Sequence, residues 1–250
     1  MMAVAAWAAG LVAPAVPRGA GAGETASAPA TPGVAPGAAS GTAPGTAGPG
    51  TSAPVKADAG AVPAERVAAA RAGLASIPVK GRAARSGYER SEFGPAWADV
   101  DRNGCDTRND ILARDLTVLA FRPGTHDCVV LTGILLDPYT GQRIDFERGP
   151  RSAEVQIDHL VPLADAWQKG AQAWTAERRE RFANDPANLL AVDGDENQSK
   201  GAGDLATWLP PNKAFRCEYT VRIVAVKAEY GLWMTEAEHR RAGELLAACS

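Results

Sequence analysis

The feature that most limits what this chain can fold into is a change of composition near residue 60. Before it the sequence is almost entirely Ala, Gly, Pro, Ser, Thr and Val, and only Arg18, Glu24, Lys56 and Asp58 carry charge. After it come every Tyr, Phe and Cys and all the tryptophans except Trp7. Small side chains among frequent Pro and Gly offset little of the backbone entropy lost on ordering. Residues 21–61 are therefore expected to be a disordered tether and 62–250 one folded domain with a sizeable core.

The first twenty residues, MMAVAAWAAGLVAPAVPRGA, contain an apolar run too short and too interrupted by proline to span a bilayer comfortably. They read as the apolar part and small-residue end of a secretory signal whose positively charged start is missing. No later segment looks transmembrane. The four cysteines, at 105, 128, 217 and 249, are even in number, no CxxC occurs, and His126, His159 and His239 are the only histidines. Disulfides thus fit better than a structural zinc. Spacing alone permits three pairings. We expect Cys105–Cys128 and Cys217–Cys249, since each pair brackets one compact block and the second would join the same end of two antiparallel helices. A secreted or extracellular location follows as the expectation, ahead of the cytoplasm.

A formal net charge of −3 and a pI near 5.7 exclude a broad basic footprint for nucleic acid. They leave room for an enzyme that visits a phosphodiester backbone with a local cationic surface. Arg178, Arg179, Arg181, Lys200, Lys213 and Arg216 are candidates for that surface, with Lys213 and Arg216 placed as substrate guides. There is no P-loop, no GxGxxG fingerprint and no serine nucleophile elbow.

Residues 63–76 read as a helix, with Pro63 at an early position. The mixed, turn-rich stretch from about 85 is expected to supply scaffold and part of a cleft wall, followed by a short helix around Ile111–Leu116 and a strand at Thr117–Phe121. Cys128–Leu136, then DPYTG, then QRIDF read as strand, turn and strand, and EVQIDHL as a third strand in the same part of the chain. Alternation there puts Glu154, Gln156 and Asp158 on one side and Val155, Ile157 and His159 on the other. Leu163–Trp174 reads as a helix softened at Gly170, and a second begins at Thr175. Asn188–Val192 is extended, and Asp195–Lys200 a short helix after a turn at Gly194. Residues 214–230 and a segment capped by Thr235 make two terminal helices.

The chemistry concentrates in two stretches, EVQIDHLVPLADAW and NDPANLLAVDGDENQSKG. Hydrolysis of a phosphodiester needs an activated water and a way to stabilise charge on phosphate oxygen. Asp158 can coordinate a hard cation, while the adjacent His159 accepts a proton from water. The carbonyl oxygen of Asn188 can fix the imidazole, Asn197 can ligate the same ion through its amide oxygen, and Lys200, three residues on, can meet phosphate. Oxygen donors favour Mg²⁺, with Mn²⁺, Ca²⁺ and Zn²⁺ as alternatives. Glu154 is either a contributor of charge or metal contact behind the site or a surface residue. Asp193, Asp195 and Glu196 lack EF-hand spacing and read as turn residues. Trp167, Trp174 and Trp208 fit core packing better than base stacking.

With the WLPP segment, these stretches resemble the HNH, or ββα-metal, endonuclease superfamily, particularly its secreted actinobacterial-type members with a DHLVPLADAW block. The resemblance implies an α+β fold, with a ββα-metal nuclease core at about 154–205 embedded in a mixed domain of short antiparallel strands and C-terminal helices. It implies Asp158 and Asn197 as metal ligands, His159 as general base, Asn188 as the residue orienting that base, and a phosphate-binding role for Lys200. Asn197 stands where a literal His-Asn-His pattern has its final histidine. The expected activity is a metal-dependent endonuclease, DNA ahead of RNA and weakly sequence-selective, leaving 5′-phosphate and 3′-hydroxyl ends. The alternatives are a hydrolase of another phosphodiester and a noncatalytic secreted binding domain. A monomer is favoured, no membrane-spanning partner is implied, and protein partners are left open.

Overall fold

The computed structural model describes residues 61–249, so the expected signal segment and tether lie outside the described residues. The described chain is a mixed α+β fold. Seven helices and five strands run in the order α1 (Ala64–Ser76), α2 (Thr107–Asp115), β1 (Thr117–Phe121), β2 (Val130–Leu136), β3 (Arg143–Glu147), β4 (Val155–His159), α3 (Leu163–Gln168), α4 (Ala176–Ala183), β5 (Leu189–Asp193), α5 (Gly194–Lys200), α6 (Arg216–Glu229) and α7 (Glu236–Ala247). No helix among them is long and apolar enough to cross a membrane.

β1, β2 and β3 form an antiparallel meander, while β4 pairs with β5 in a separate two-stranded sheet. The β4–β5 register sets Asp158 opposite Leu190 and His159 opposite Leu189. β5 alternates as a strand buried on both faces should. Leu189 and Ala191 pack with Ile111, Leu112, Val130 and Phe146 under α2 and the meander, whereas Leu190 and Val192 join the larger core of α1, α3, α6 and α7. The hairpin is thus held between two cores, and α5 follows it directly to complete a ββα unit.

Local chemistry sets the helix ends. Asp106, Thr175, Asp193 and Thr235 each accept a backbone N–H from the first turn of the helix they precede. Alanine-rich α1 lacks a side-chain cap, yet Val67, Ala70 and Leu74 recur at helical spacing and are buried against α6 and α7. Burying side chains like Val67 and Leu74 stabilises by about 1.5–3 kcal/mol each, which offsets the missing cap. α3 stops at Gln168, earlier than its sequence suggests, because Gly170 takes φ +132° against Trp233 and Leu232. Gly194 opens α5 instead of a turn, and a Cβ there would run into the Ala153 carbonyl oxygen. Both expected disulfides are present, Cys105–Cys128 and Cys217–Cys249.

A buried charge network ties the helices together. Lys169 lies 2.6 Å from Asp165, 2.8 Å from Asp204 and 2.6 Å from Glu238. Lys227 lies 2.9 Å from Asp165 and 2.6 Å from Glu238. Arg82 reaches Asp165 and Asp204 at 3.1 and 2.6 Å. The three cations match the three anions, which is what allows charges to stay ionised away from water. Burial opposes ionisation of Asp165, but Lys227 and Lys169 overcome it and hold its carboxyl below the ordinary carboxylate range.

Candidate active site

A cleft of about 470 Å³ opens where β4, the start of α3 and the end of α5 meet the segment before α2. Asp158, His159, Gln156 and Asn197 line it, together with Arg85, Arg90 and Arg108. The β4–β5 ladder and the N-terminal cap of α5 bring Asp158 and Asn197 to one wall.

Asp158 is buried and heavily supported. It accepts a hydrogen bond from the Tyr139 hydroxyl and ion-pairs with Lys200, whose Nζ lies 2.9 Å from Oδ1 and 2.8 Å from Oδ2. Burial, with the Asp158 charge adding to it, pushes the Tyr139 phenol well above its usual value, so it stays a donor. Two donors do not exhaust the lone pairs of a carboxylate, and Asp158 keeps acceptor capacity toward the cleft.

His159 ends β4 with its ring stacked on Trp97, the centroids 6.2 Å apart. Nε2 lies 2.8 Å from the Ala183 carbonyl oxygen. A carbonyl accepts only, so this contact assigns the proton to Nε2 and leaves Nδ1 as the basic nitrogen. Burial pushes the imidazole down to about 3, with Arg90 and Lys200 adding to the fall and the Ala183 bond resisting it. At neutral pH the ring is uncharged.

Three expected roles need correction. Asn188 does not reach the imidazole: its Oδ1 accepts from Val161 N at 2.8 Å, its Nδ2 donates to Val161 O at 3.3 Å, and its own carbonyl accepts from Leu160 N at 2.8 Å. It clamps the turn after His159, while the Ala183 carbonyl orients the ring. Lys200 does not face phosphate. It is 3% exposed and donates to Asp158 and to the His159 carbonyl at 2.7 Å, because α5 turns this position inward toward the Asp158 carboxylate. Lys213 and Arg216 do not line the cleft: Lys213 is exposed, and Arg216 Nε donates to Pro210 O at 2.8 Å.

Glu154 is exposed and paired with Arg151 at 2.8 Å, the surface alternative. Arg178 and Arg179 lie over Trp174 and Trp167. Those two tryptophans and Trp208 pack with the core as expected. Asn197 donates from Nδ2 to Gln156 Oε1 at 2.9 Å. This bond turns nitrogen toward Gln156 and leaves Oδ1 as the amide's acceptor.

Sequence reasoning missed Tyr139, Gln156 and the Ala183 carbonyl, and named none of Arg85, Arg90, Arg108 or Trp97 individually. Gln156 carried a signal, since it shares the Asp158 face of β4. The arginines lie in irregular chain where periodicity gives no direction. Among the described residues, no three His, Cys, Asp or Glu side chains group as a metal cage. The donor set at the cleft, one carboxylate and one amide oxygen, suits a hard cation that keeps most of its coordination for water and phosphate.

The family model for the GmrSD restriction endonucleases, C-terminal domain, matches residues 106–244. An "Uncharacterized secreted protein" of Arthroderma benhamiae is 34% identical over 178 residues, covering 70% of this chain and 82% of that protein. No solved structure matches the chain. Asp158, His159 and Asn197 all fall inside the matched region, and the chain belongs to the family of the GmrSD restriction endonuclease C-terminal domain, a nuclease-related domain.

Proposed function

We propose that the protein is a secreted, metal-dependent endonuclease that hydrolyses nucleic-acid phosphodiester bonds, DNA ahead of RNA, and leaves 5′-phosphate and 3′-hydroxyl ends. The observation that carries this reading is a neutral imidazole with an unprotonated Nδ1 beside carboxylate and amide oxygens in an arginine-lined cleft. The family match supports a nuclease, and the two disulfides and the relative's description support secretion.

Asp158 and Asn197 would hold a divalent ion, Mg²⁺ first, which supplies positive charge to the phosphate and the leaving 3′-oxygen. His159 Nδ1 takes a proton from water as the water oxygen attacks phosphorus in line. The bond from phosphorus to the 3′-oxygen breaks, the leaving oxygen takes a proton from solvent water, and His159 returns its own proton to solvent. The Ala183 carbonyl keeps the ring from turning during this transfer. Tyr139 and Lys200 fix the Asp158 carboxylate, and Arg85 and Arg90 draw phosphates over the cleft. Since Lys200 already balances Asp158, we expect weak ion binding until substrate phosphate completes the site.

The test incubates purified protein with circular and linear DNA, RNA and a small phosphodiester across Mg²⁺, Mn²⁺, Ca²⁺ and Zn²⁺, with chelator and His159→Ala controls. Nicking of circular DNA that chelator and His159→Ala both abolish is the expected result. Cleavage that survives in folded His159→Ala protein removes the general-base assignment. Turnover confined to the small phosphodiester makes the protein a different hydrolase, and no turnover at all makes it a binding domain.

A further inference from the structure

A second cavity, of about 260 Å³, adjoins the cleft and shares Arg90, Trp97, His159 and Leu163 with it. Phe93 and Pro95 extend its apolar wall. An aromatic-walled slot with the Arg90 guanidinium on its shared edge is the complement of a flat ring carried on a phosphate chain.

We propose that this cavity is a nucleobase subsite for a nucleotide flanking the scissile phosphate, a proposal that rests on the nuclease reading. The polymer fits the arrangement from both ends. A phosphate attracted by Arg90 beside His159 has its base one sugar away, and the shared wall leads from one cavity to the other. The base lies against Trp97 and Phe93. Every natural base has such a flat face, so the subsite demands a base without demanding one sequence. A base seated there has left its partner strand, which makes single-stranded or frayed polymer the better substrate.

The test places one altered nucleotide in a single-stranded oligonucleotide: an abasic residue, or a difluorotoluene base that keeps the shape and the flat face. Cleavage next to the abasic residue should fall at least tenfold in kcat/KM, and cleavage next to the isostere should stay close to that beside a natural base. Ala96→Trp and Ser91→Trp provide a second route. Both positions are exposed on the cavity rim, and filling it should erase the preference for a base.

Calorimetry of the full chain with dAMP and with deoxyribose 5-phosphate gives a readout independent of cleavage. Binding of dAMP alone, lost in Ala96→Trp, supports the subsite even if no polymer is cut, in which case only the nuclease reading fails. Equal cleavage beside base and gap, with both phosphates binding alike, overturns the subsite and leaves the nuclease reading standing.

Discussion

The family-matched region and the segment before it build the cleft in different ways. Residues 106–244 carry Asp158, His159 and Asn197 on a strand ladder and a capped helix. Residues 77–105 are mostly irregular and carry Arg85, Arg90 and Trp97, the wall that faces them. The proposed proton transfer and cation binding tolerate little misplacement, so their groups belong on rigid elements. A phosphate chain held by long cationic side chains accepts looser support. The irregular segment is nonetheless anchored. Arg82 enters the buried charge network, Phe93 is buried in the larger core, and Cys105 is bonded to Cys128.

The contrast breaks most visibly at the ladder. His159→Ala should reduce kcat by about 10²–10⁴-fold with an unchanged far-ultraviolet spectrum, the range for loss of a general base. Asp158→Ala should lose activity to a similar extent and also destabilise by about 3–5 kcal/mol, since it strands Lys200 uncompensated. Denaturant titration of Asp158→Leu/Lys200→Met should recover much of that stability with no activity. This separates the carboxylate's structural work from its chemistry.

The charge network comes next. Glu238→Gln leaves both lysines short of one anion and should cost about 3–5 kcal/mol in chemical denaturation. Its pH dependence has a definite sign. Burial opposes ionisation of Asp204 too, but Lys169 and Arg82 keep its carboxyl below the usual value, as with Asp165. Stability from these two groups is fully present above the unfolded carboxylate range near ~4 and is lost as pH falls through their folded values. Burial likewise opposes the Lys227 charge, and Asp165 and Glu238 overcome it to raise the ammonium. Its contribution is present below ~10.4 and is lost only as pH rises through that higher value.

Gly194→Ala should cost about 1–3 kcal/mol through overpacking against Ala153 and should reduce kcat, because displacing α5 moves Asn197. The smallest effect belongs to the irregular wall. Arg90→Ala should raise KM about fivefold with kcat largely retained, as expected for a group that binds ground and transition states alike. Steady-state kinetics on one oligonucleotide checks both, and a kcat loss in Arg90→Ala matching that of His159→Ala would erase the division of labour.

Much of the framework is legible locally. β1 is read at its observed bounds, and Thr175 and Thr235 cap the helices their spacing announces. The adjacency of Asp158 and His159, with Asn197 downstream, locates the cleft. What escapes is the far partner of each group. The imidazole's partner is the backbone of Ala183, which has no side-chain signature, and Asn188 serves a turn rather than a ring. Lys227 is a signal that went unread. It follows Tyr219 and Ile223 at intervals of four, so it continues the buried stripe of α6 and requires a buried anion. Nothing near it in sequence names Asp165 and Glu238 as those anions.

The buried network also responds to ionic strength differently from the cleft. Its two lysines and their carboxylates are covered from solvent, so added salt has little access to them, whereas the attraction between Arg85, Arg90 and a polyanion decays over a Debye length of about 8 Å at 0.15 M. Raising salt should therefore release the polymer from a protein that remains folded. Ionic strength becomes a reversible control over substrate capture alone, in which the solvent reaches one set of charges and is shut out from the other.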